Sequence, residues 1–401
     1  MKILLSSFVY YPEPIGLHEH DLASGLVNLG HDVFVITGFP SYPAGIVYEG
    51  YQDKAGKWET VDGVKIYRVP FIGNRSRSPV KRIFSFFTFL FLTLEALYSQ
   101  KIKPDIIRAN QFGLPGFLIS KFQNIPFYLD VGDLWPDWAK TSSFGISNFL
   151  YDVLDWQQKI IYKRACKITT ISKSFKHFLE LKGVPANKIY IFPSWASGNN
   201  FKVVPRNLEF GIRENLTGKF NIIYAGNIGS AQGLDIVVKC AMRLEKESTL
   251  QFTIIGDGLE KEGLEREVNR LKLENVKFLG KKDPEQLVDY FAWADFLFLP
   301  LGKDPIYELT IPSKTYSYLA CGRPILVAAK GEVADLIKEI DAGFVVPPED
   351  PQRLIEMIQM LLNMDHEKLE KYGHNGLLAY QNNFDKKILI SRYDQLIRNQ
   401  I

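Results

Sequence analysis

"KFNIIYAGNIGSAQGLD", Lys219 to Asp235, decides the fold. An apolar run of strand length ends in a turn holding Gly226, Gly229 and Gly233, and a helical pattern opens at about Leu234. Alone, this is one strand, one turn and one helix. Its weight comes from its place, because a loop-like stretch from Trp195 to Gly218 precedes it and closes an earlier series. That earlier series runs "KILLSSF", a helix over His20 to Leu29, "DVFVIT", "PDIIRAN", "PFYLDVG" and "KITTIS". The later one continues with "QFTIIGDG", "VKFLG", "DFLFLP", "PILVAA" and "GFVVP". Short β-rich runs alternating with helical patterns imply parallel strands joined by crossover helices. Two such series separated by an interruption predict two doubly wound α/β domains rather than one barrel. The expected division is 1–205 and 206–380, with 381–401 a helix placed to pack back on the first domain.

Composition agrees with a globular protein of two ordinary domains: 401 residues, 46% apolar and 23% charged, with a net charge of +3. A nucleic-acid binder would carry a strongly basic domain, so no nucleic-acid partner is expected. Cys166, Cys240 and Cys321 are far apart in helix or strand patterns and suggest neither a disulfide framework nor a metal site. "MKILLSSFVYYPEP" reads as a first buried strand, without the cleavage site of a signal peptide.

In doubly wound sheets, ligands sit beyond the carboxyl ends of strands, where glycine turns let backbone N–H groups face an anion. Two strand ends in the second series carry such turns: Gly226 to Gly233, and Gly256, Asp257 and Gly258. Both can also be read as tight turns and nothing more. A third signal is "PSKTYSYLACGRP", Pro312 to Pro324. Ser313 reads as an N-cap and Gly322 as a stop, which puts Lys314 at the first helical position. A cation there opposes the helix dipole by roughly 0.3 to 1 kcal/mol unless an anion lies between them. Two glycine turns and this lysine make a nucleotide diphosphate the economical ligand, and a merely solvated lysine is the alternative. No two aspartates stand two positions apart, so the acidic pair that holds a divalent ion on a sugar nucleotide is absent and no metal is expected. His18 and His20 flank Glu19, but i and i+2 on a helix point apart.

At this point the chain resembles the retaining family 4, or group 1, glycosyltransferases of the GT-B fold, in which two Rossmann-like domains face each other across a cleft. The likeness runs through "YYPEPIG", "LVNLGHDVFVITGFPSYP", "DLWPD", "ITTISKSF", "AGNIGSAQGLD", "IIGDG", "FLG", "ADFLFLP", "IPSKTYSYLACGRPIL" and "AGFVVPPED". Within the family it is most similar to bacterial polysaccharide enzymes that transfer fucose or N-acetylfucosamine. The resemblance implies that the second domain holds a UDP- or GDP-sugar and the first receives a polyprenyl-diphosphate-linked saccharide. It places Gly256 and Asp257 near the base or ribose, Asn227 and Gln232 at the pyrophosphate or sugar, and Lys314 and Ser313 at the phosphates. Gly16 belongs to the loop facing the donor. Many family members carry an arginine and a lysine where this chain has Asn227 and Gln232, and two glutamates where it has Leu309 and Ser317. Glu308 stands one position from the first, and Ser317 offers a ribose hydroxyl a single hydrogen bond. Lys314 is then the main candidate to balance the leaving group. For retaining enzymes of this fold the usual proposal is attack on the face from which the phosphate departs, with the phosphate taking the acceptor's proton. Asp133, after "YLDVG", is the first-domain carboxylate best placed to orient a hydroxyl, and a helix cap is its alternative reading.

"IFSFFTFLFLTLEALY", Ile83 to Tyr98, is apolar nearly all round but, at ~24 Å of helix, too short to cross a bilayer. Arg75, Arg77, Lys81 and Arg82 precede it. Segment 75–98 is therefore read either as a core helix after a solvated basic loop or as a dock for an anionic membrane. With the implied acceptor, the second reading places the protein in the cytoplasm, peripheral at the inner face of the cell membrane. The alternatives to a transferase are a nucleotide-sugar epimerase of the same fold and a silent nucleotide-sugar-binding protein.

Overall fold

Runs of Ile, Val, Leu and Phe become strands here because crossover helices cover both faces of a parallel sheet. β10 (Leu250–Ile255), β12 (Phe296–Pro300) and β13 (Ile325–Ala328) are buried at every position. The structure, a computed structural model, describes residues 1–41, 45–70, 79–110, 113–137, 147–197 and 200–399, without the side chains of 79–86. The chain divides into two units, Met1–Pro193 with Leu389–Ile401, and Ser194–Ile388. The division falls after Pro193 rather than at 205, because Ala196 already lies in the core of the second unit.

In the first unit the sheet comprises β1 (Lys2–Ser6), β2 (Asp32–Thr37), β3 (Trp58–Val61), β4 (Val64–Arg68), β5 (Ile106–Ala109), β6 (Phe127–Val131), β7 (Lys167–Thr170) and β8 (Ile189–Ile191). Their order is β3-β4-β2-β1-β5-β6-β7-β8, parallel except for the β3–β4 pair. That pair is a hairpin closed by Asp62 and Gly63, both at positive φ, as an Asp-Gly turn requires. In the second unit β9 (Phe220–Ala225), β10, β11 (Val276–Phe278), β12, β13 and β14 (Gly343–Val346) follow the order β11-β10-β9-β12-β13-β14, all parallel. Both sheets are Rossmann-like, and in each the direction of winding reverses beside the first strand: at β1/β5 and at β9/β12.

The last described helix, Lys386–Arg398, gives residues 389 onward to the first unit. Ile390 fills the space a side chain at Gly25 would need, and His31 hydrogen-bonds Asp394 at 2.6 Å. Lys167 donates to the carbonyl of Leu396 at 2.7 Å, near the helix's negative end.

Candidate functional site

At the second unit's switch point, the turns after β9 and β10 are built against each other. Gly226 N–H donates to Ile255 and Ile228 N–H to Asp257, 2.9 and 2.8 Å. Gly226 has φ 151° and Gly256 φ 145°, and a Cβ on Gly256 would collide with the Gly226 carbonyl. Close approach of two backbones therefore explains glycine at 256. Gly226 answers to something else: a Cβ there would lie 2.7 Å from the amine of Lys314.

Lys314 opens the helix Lys314–Ala320, which ends at Gly322 with φ +64°. Ser313 stands at the N-cap, but its side chain makes no capping bond. The Lys314 side chain crosses to β9. Its Nζ donates to the Tyr224 hydroxyl at 2.8 Å and lies 4.1 Å from the centre of that ring. The Tyr224 hydroxyl in turn donates to the carbonyl of Asn227 in the first glycine turn. Burial pushes the Lys314 amine down to about 7, and no carboxylate offsets that cost. Burial also raises the Tyr224 phenol, which keeps its proton.

Asn227 and Gln232 bond each other (3.3 Å), and Gln232 Oε1 also accepts from Gly229 N–H at 3.2 Å, which folds the turn. Asp257 is exposed and accepts from Gly258 N–H at 2.9 Å. Ser317 is half-buried on the helix of Lys314, while Glu308 ends the short helix Pro305–Glu308, its carbonyl against Gly331. The structure thus gathers Gly226, Asn227, Gln232, Gly256, Asp257 and Lys314. It records no bond from Lys314 to Glu308, Ser313 or Ser317.

Asp133 and Gly16 belong to the first unit. Gly16 sits against the backbone of Tyr10 with no room for a side chain. Asp133 is exposed, two residues beyond β6, and Asp130 is the carboxylate within that strand. Arg108, on β5 beside the switch point, pairs with Glu19 and with Asp130 at 3.3 Å, and Thr169 donates to Asp130 at 2.5 Å. The guanidinium stacks over Tyr393, 5.6 Å from its centre. Burial opposes its charge, but Glu19 and Asp130 prevail and hold it more firmly protonated than a free arginine. His20 points elsewhere, between Tyr10 and Asp62, 2.9 Å each.

Residues 15–195 match the family described as glycosyl transferase 4-like domain, and residues 206–378 match glycosyl transferases group 1. The chain belongs to the GT-B glycosyltransferases. A curated relative, the putative colanic acid biosynthesis glycosyl transferase WcaI of Escherichia coli, is 27% identical over 379 residues, 90% of this chain and 92% of its own. Among solved structures, the sucrose-phosphate synthase of Thermosynechococcus elongatus superposes with a TM-score of 0.77 at 19% identity, covering 100% of this chain and 98% of the other. HepE of Anabaena, in complex with UDP and glucose, gives 0.72 at 16%, covering 99% of each.

In this glycosyltransferase, the contacts of Tyr224, Arg108, Glu19 and Asp130 are not legible in the sequence. A tyrosine inside "NIIYAG" reads as core, and only an arginine and an aspartate inside otherwise apolar strands hinted at the first-unit cluster. A cavity of about 510 Å³ lies away from the glycine turns, where β12 and β13 begin, lined by Arg206, Asp295, Arg323 and His374 among others. Among the described residues, no three His, Cys, Asp or Glu side chains gather to hold a metal ion.

Proposed function

We propose that this glycosyltransferase takes a sugar from a UDP- or GDP-sugar held by its second unit. It adds that sugar, with retention, to a polyprenyl-diphosphate-linked saccharide precursor of a bacterial surface polysaccharide. The observation that carries this reading is Lys314: a buried amine under a glycine turn at the switch point, with a phenol as partner and no carboxylate. Such an amine favours an anion that arrives with a ligand. The relative named for colanic acid biosynthesis and the HepE complex with UDP support the substrate classes. In the reaction, the bond from the anomeric carbon to the diphosphate oxygen breaks as the acceptor hydroxyl oxygen bonds to that carbon on the same face. The acceptor's proton passes to the departing phosphate, and Lys314 balances its charge without a metal ion. Asn227, Gln232, Gly256, Asp257, Glu308, Ser313 and Ser317 shape the donor subsite. Gly16 and Asp133 serve the first unit's side of the reaction, Asp133 orienting a hydroxyl.

The protein works at an anionic membrane surface on the cytoplasmic side, docked through 75–98. Exposure along the helix Pro79–Ser99 supports docking by one face: Phe89, Thr93, Ala96 and Leu97 are buried, while Phe87, Phe91 and Tyr98 are 58%, 70% and 88% exposed. The neighbouring helices Leu114–Gln123 and Asn148–Arg164 add exposed Phe122, Phe149 and Trp156. Aromatic rings of this kind suit a lipid interface. Arg75 and Arg77, and the side chains of Lys81 and Arg82, lie outside the described residues. Among the described residues, no helix is long and apolar enough to cross a membrane.

Calorimetry with UDP and GDP, with and without magnesium, tests the donor site. Selective, magnesium-independent binding of one is expected, followed by transfer of its sugar to a polyprenyl-diphosphate saccharide. Binding of neither would sink the reading. Glutamine at 75, 77, 81 and 82 is expected to release the protein from anionic vesicles, and equal sedimentation of both forms would argue against docking.

A further inference from the structure

One phenol links the two parts of the proposed donor site. The Asn227 carbonyl can only accept a hydrogen bond, so the Tyr224 hydroxyl commits its single proton to it. The oxygen lone pairs then remain for Lys314, which donates from 2.8 Å. The ring face lies under the same amine, and both contacts favour a charged ammonium over a neutral amine. Other titratable groups at these strand ends do not compete. Tyr318, on Lys314's own helix, bonds the backbone of Ala225, and among the described residues no carboxylate pairs with the amine.

We propose that Tyr224 is a positioning residue for Lys314: its phenol holds the amine beneath the first glycine turn and favours its protonated form, the form that meets a nucleotide diphosphate. The inference rests on the donor-site reading above. The linkage has a definite sign. In the free protein the amine loses its proton as pH rises through about 7, whereas a bound diphosphate keeps it protonated to higher pH. Affinity therefore falls as pH rises above 7, and each binding event there takes up as much as one proton.

The test compares wild type, Tyr224→Phe and Lys314→Met, titrated with whichever of UDP and GDP binds, between pH 6 and 9. Phenylalanine keeps the ring and removes only the oxygen. It is expected to weaken binding about tenfold at pH 7 and to move the midpoint of the affinity profile down by about half a pH unit or more. Calorimetry at pH 8 in two buffers of different ionisation enthalpy should show proton uptake in wild type and none in Lys314→Met. A uniform loss at every pH with the midpoint unmoved, or no loss at all, would overturn the role of Tyr224. If Lys314→Met binds as well as wild type, the donor site itself is misassigned, which is a separate failure. Should Tyr224→Phe not fold, nitrogen NMR of Lys314 Nζ in wild type decides: a midpoint near 7 that rises by at least one unit with nucleotide supports the proposal, and an unmoved midpoint refutes it.

Discussion

Arg108, buried on a strand, and Lys314, half-buried at the start of a helix, are two cations near the switch points of their Rossmann-like sheets. Arg108 is enclosed by Glu19 and Asp130 and covered by Tyr393. Lys314 has Tyr224. The first cation is paired within its own unit and holds β5, β6 and the helix Leu17–Asn28 together, whereas the second has a phenol and, among the described residues, no carboxylate partner. A shielded cation near a switch point is thus tied to carboxylates in one unit and to a phenol in the other, and the local supply of carboxylates makes the difference.

The largest effect that would test this contrast is on the first unit. Arg108→Met leaves two carboxylates in a shielded place with no cation, and breaking such a pair costs about 3 to 5 kcal/mol. Denaturant unfolding of the first unit should show that loss, and adding Glu19→Leu and Asp130→Val should recover most of it. If Arg108→Met unfolds like wild type, the cluster does not hold the unit together. Next comes Lys314→Met, expected to lower nucleotide-diphosphate affinity at least tenfold, ~1.4 kcal/mol, while thermal unfolding of the free protein stays the same or improves slightly. A large drop in stability would show that Lys314, like Arg108, is structural. The last effect is on stability against pH. A lysine whose folded value is lowered to about 7 binds fewer protons folded than unfolded between that value and its ordinary one near 10.5. Wild-type stability should therefore rise, relative to Lys314→Met, as pH climbs from 7 toward 10. Nucleotide affinity should move the opposite way over the same range, and parallel trends would contradict the assignment.

Much of the fold could be read from the chain. Period and apolar runs located β1, β2, β5, β6, β7 and every strand of the second unit. The β3–β4 hairpin is hidden although "VDGV" carries an Asp-Gly turn, because a rhythm of alternating strands and helices leaves no place for an antiparallel pair. β8, three residues long, has too little pattern to register. At the site, Lys314 at the start of its helix was legible, since caps and stops are local. Its contact with Tyr224, ninety positions away, was not, because no period in the sequence records where a long side chain lands. The same limit hid Asp130. Asp133 is legible because it follows "YLDVG", while the carboxylate that meets Arg108 lies within the strand and is held by Arg108 and Thr169 from other strands.

The return of Leu389 and its successors to the first unit has a consequence for synthesis. Tyr393 over Arg108, Asp394 on His31 and Ile390 against Gly25 are made by residues that leave the ribosome only after the whole second unit. During elongation the nascent first unit must wait, its sheet formed and one flank bare, while nearly two hundred further residues emerge and fold. A ribosome that stalls before residue 389 therefore leaves both halves of the chain present and the earlier one unsealed, a form that quality-control proteases can tell from the finished protein by its open flank.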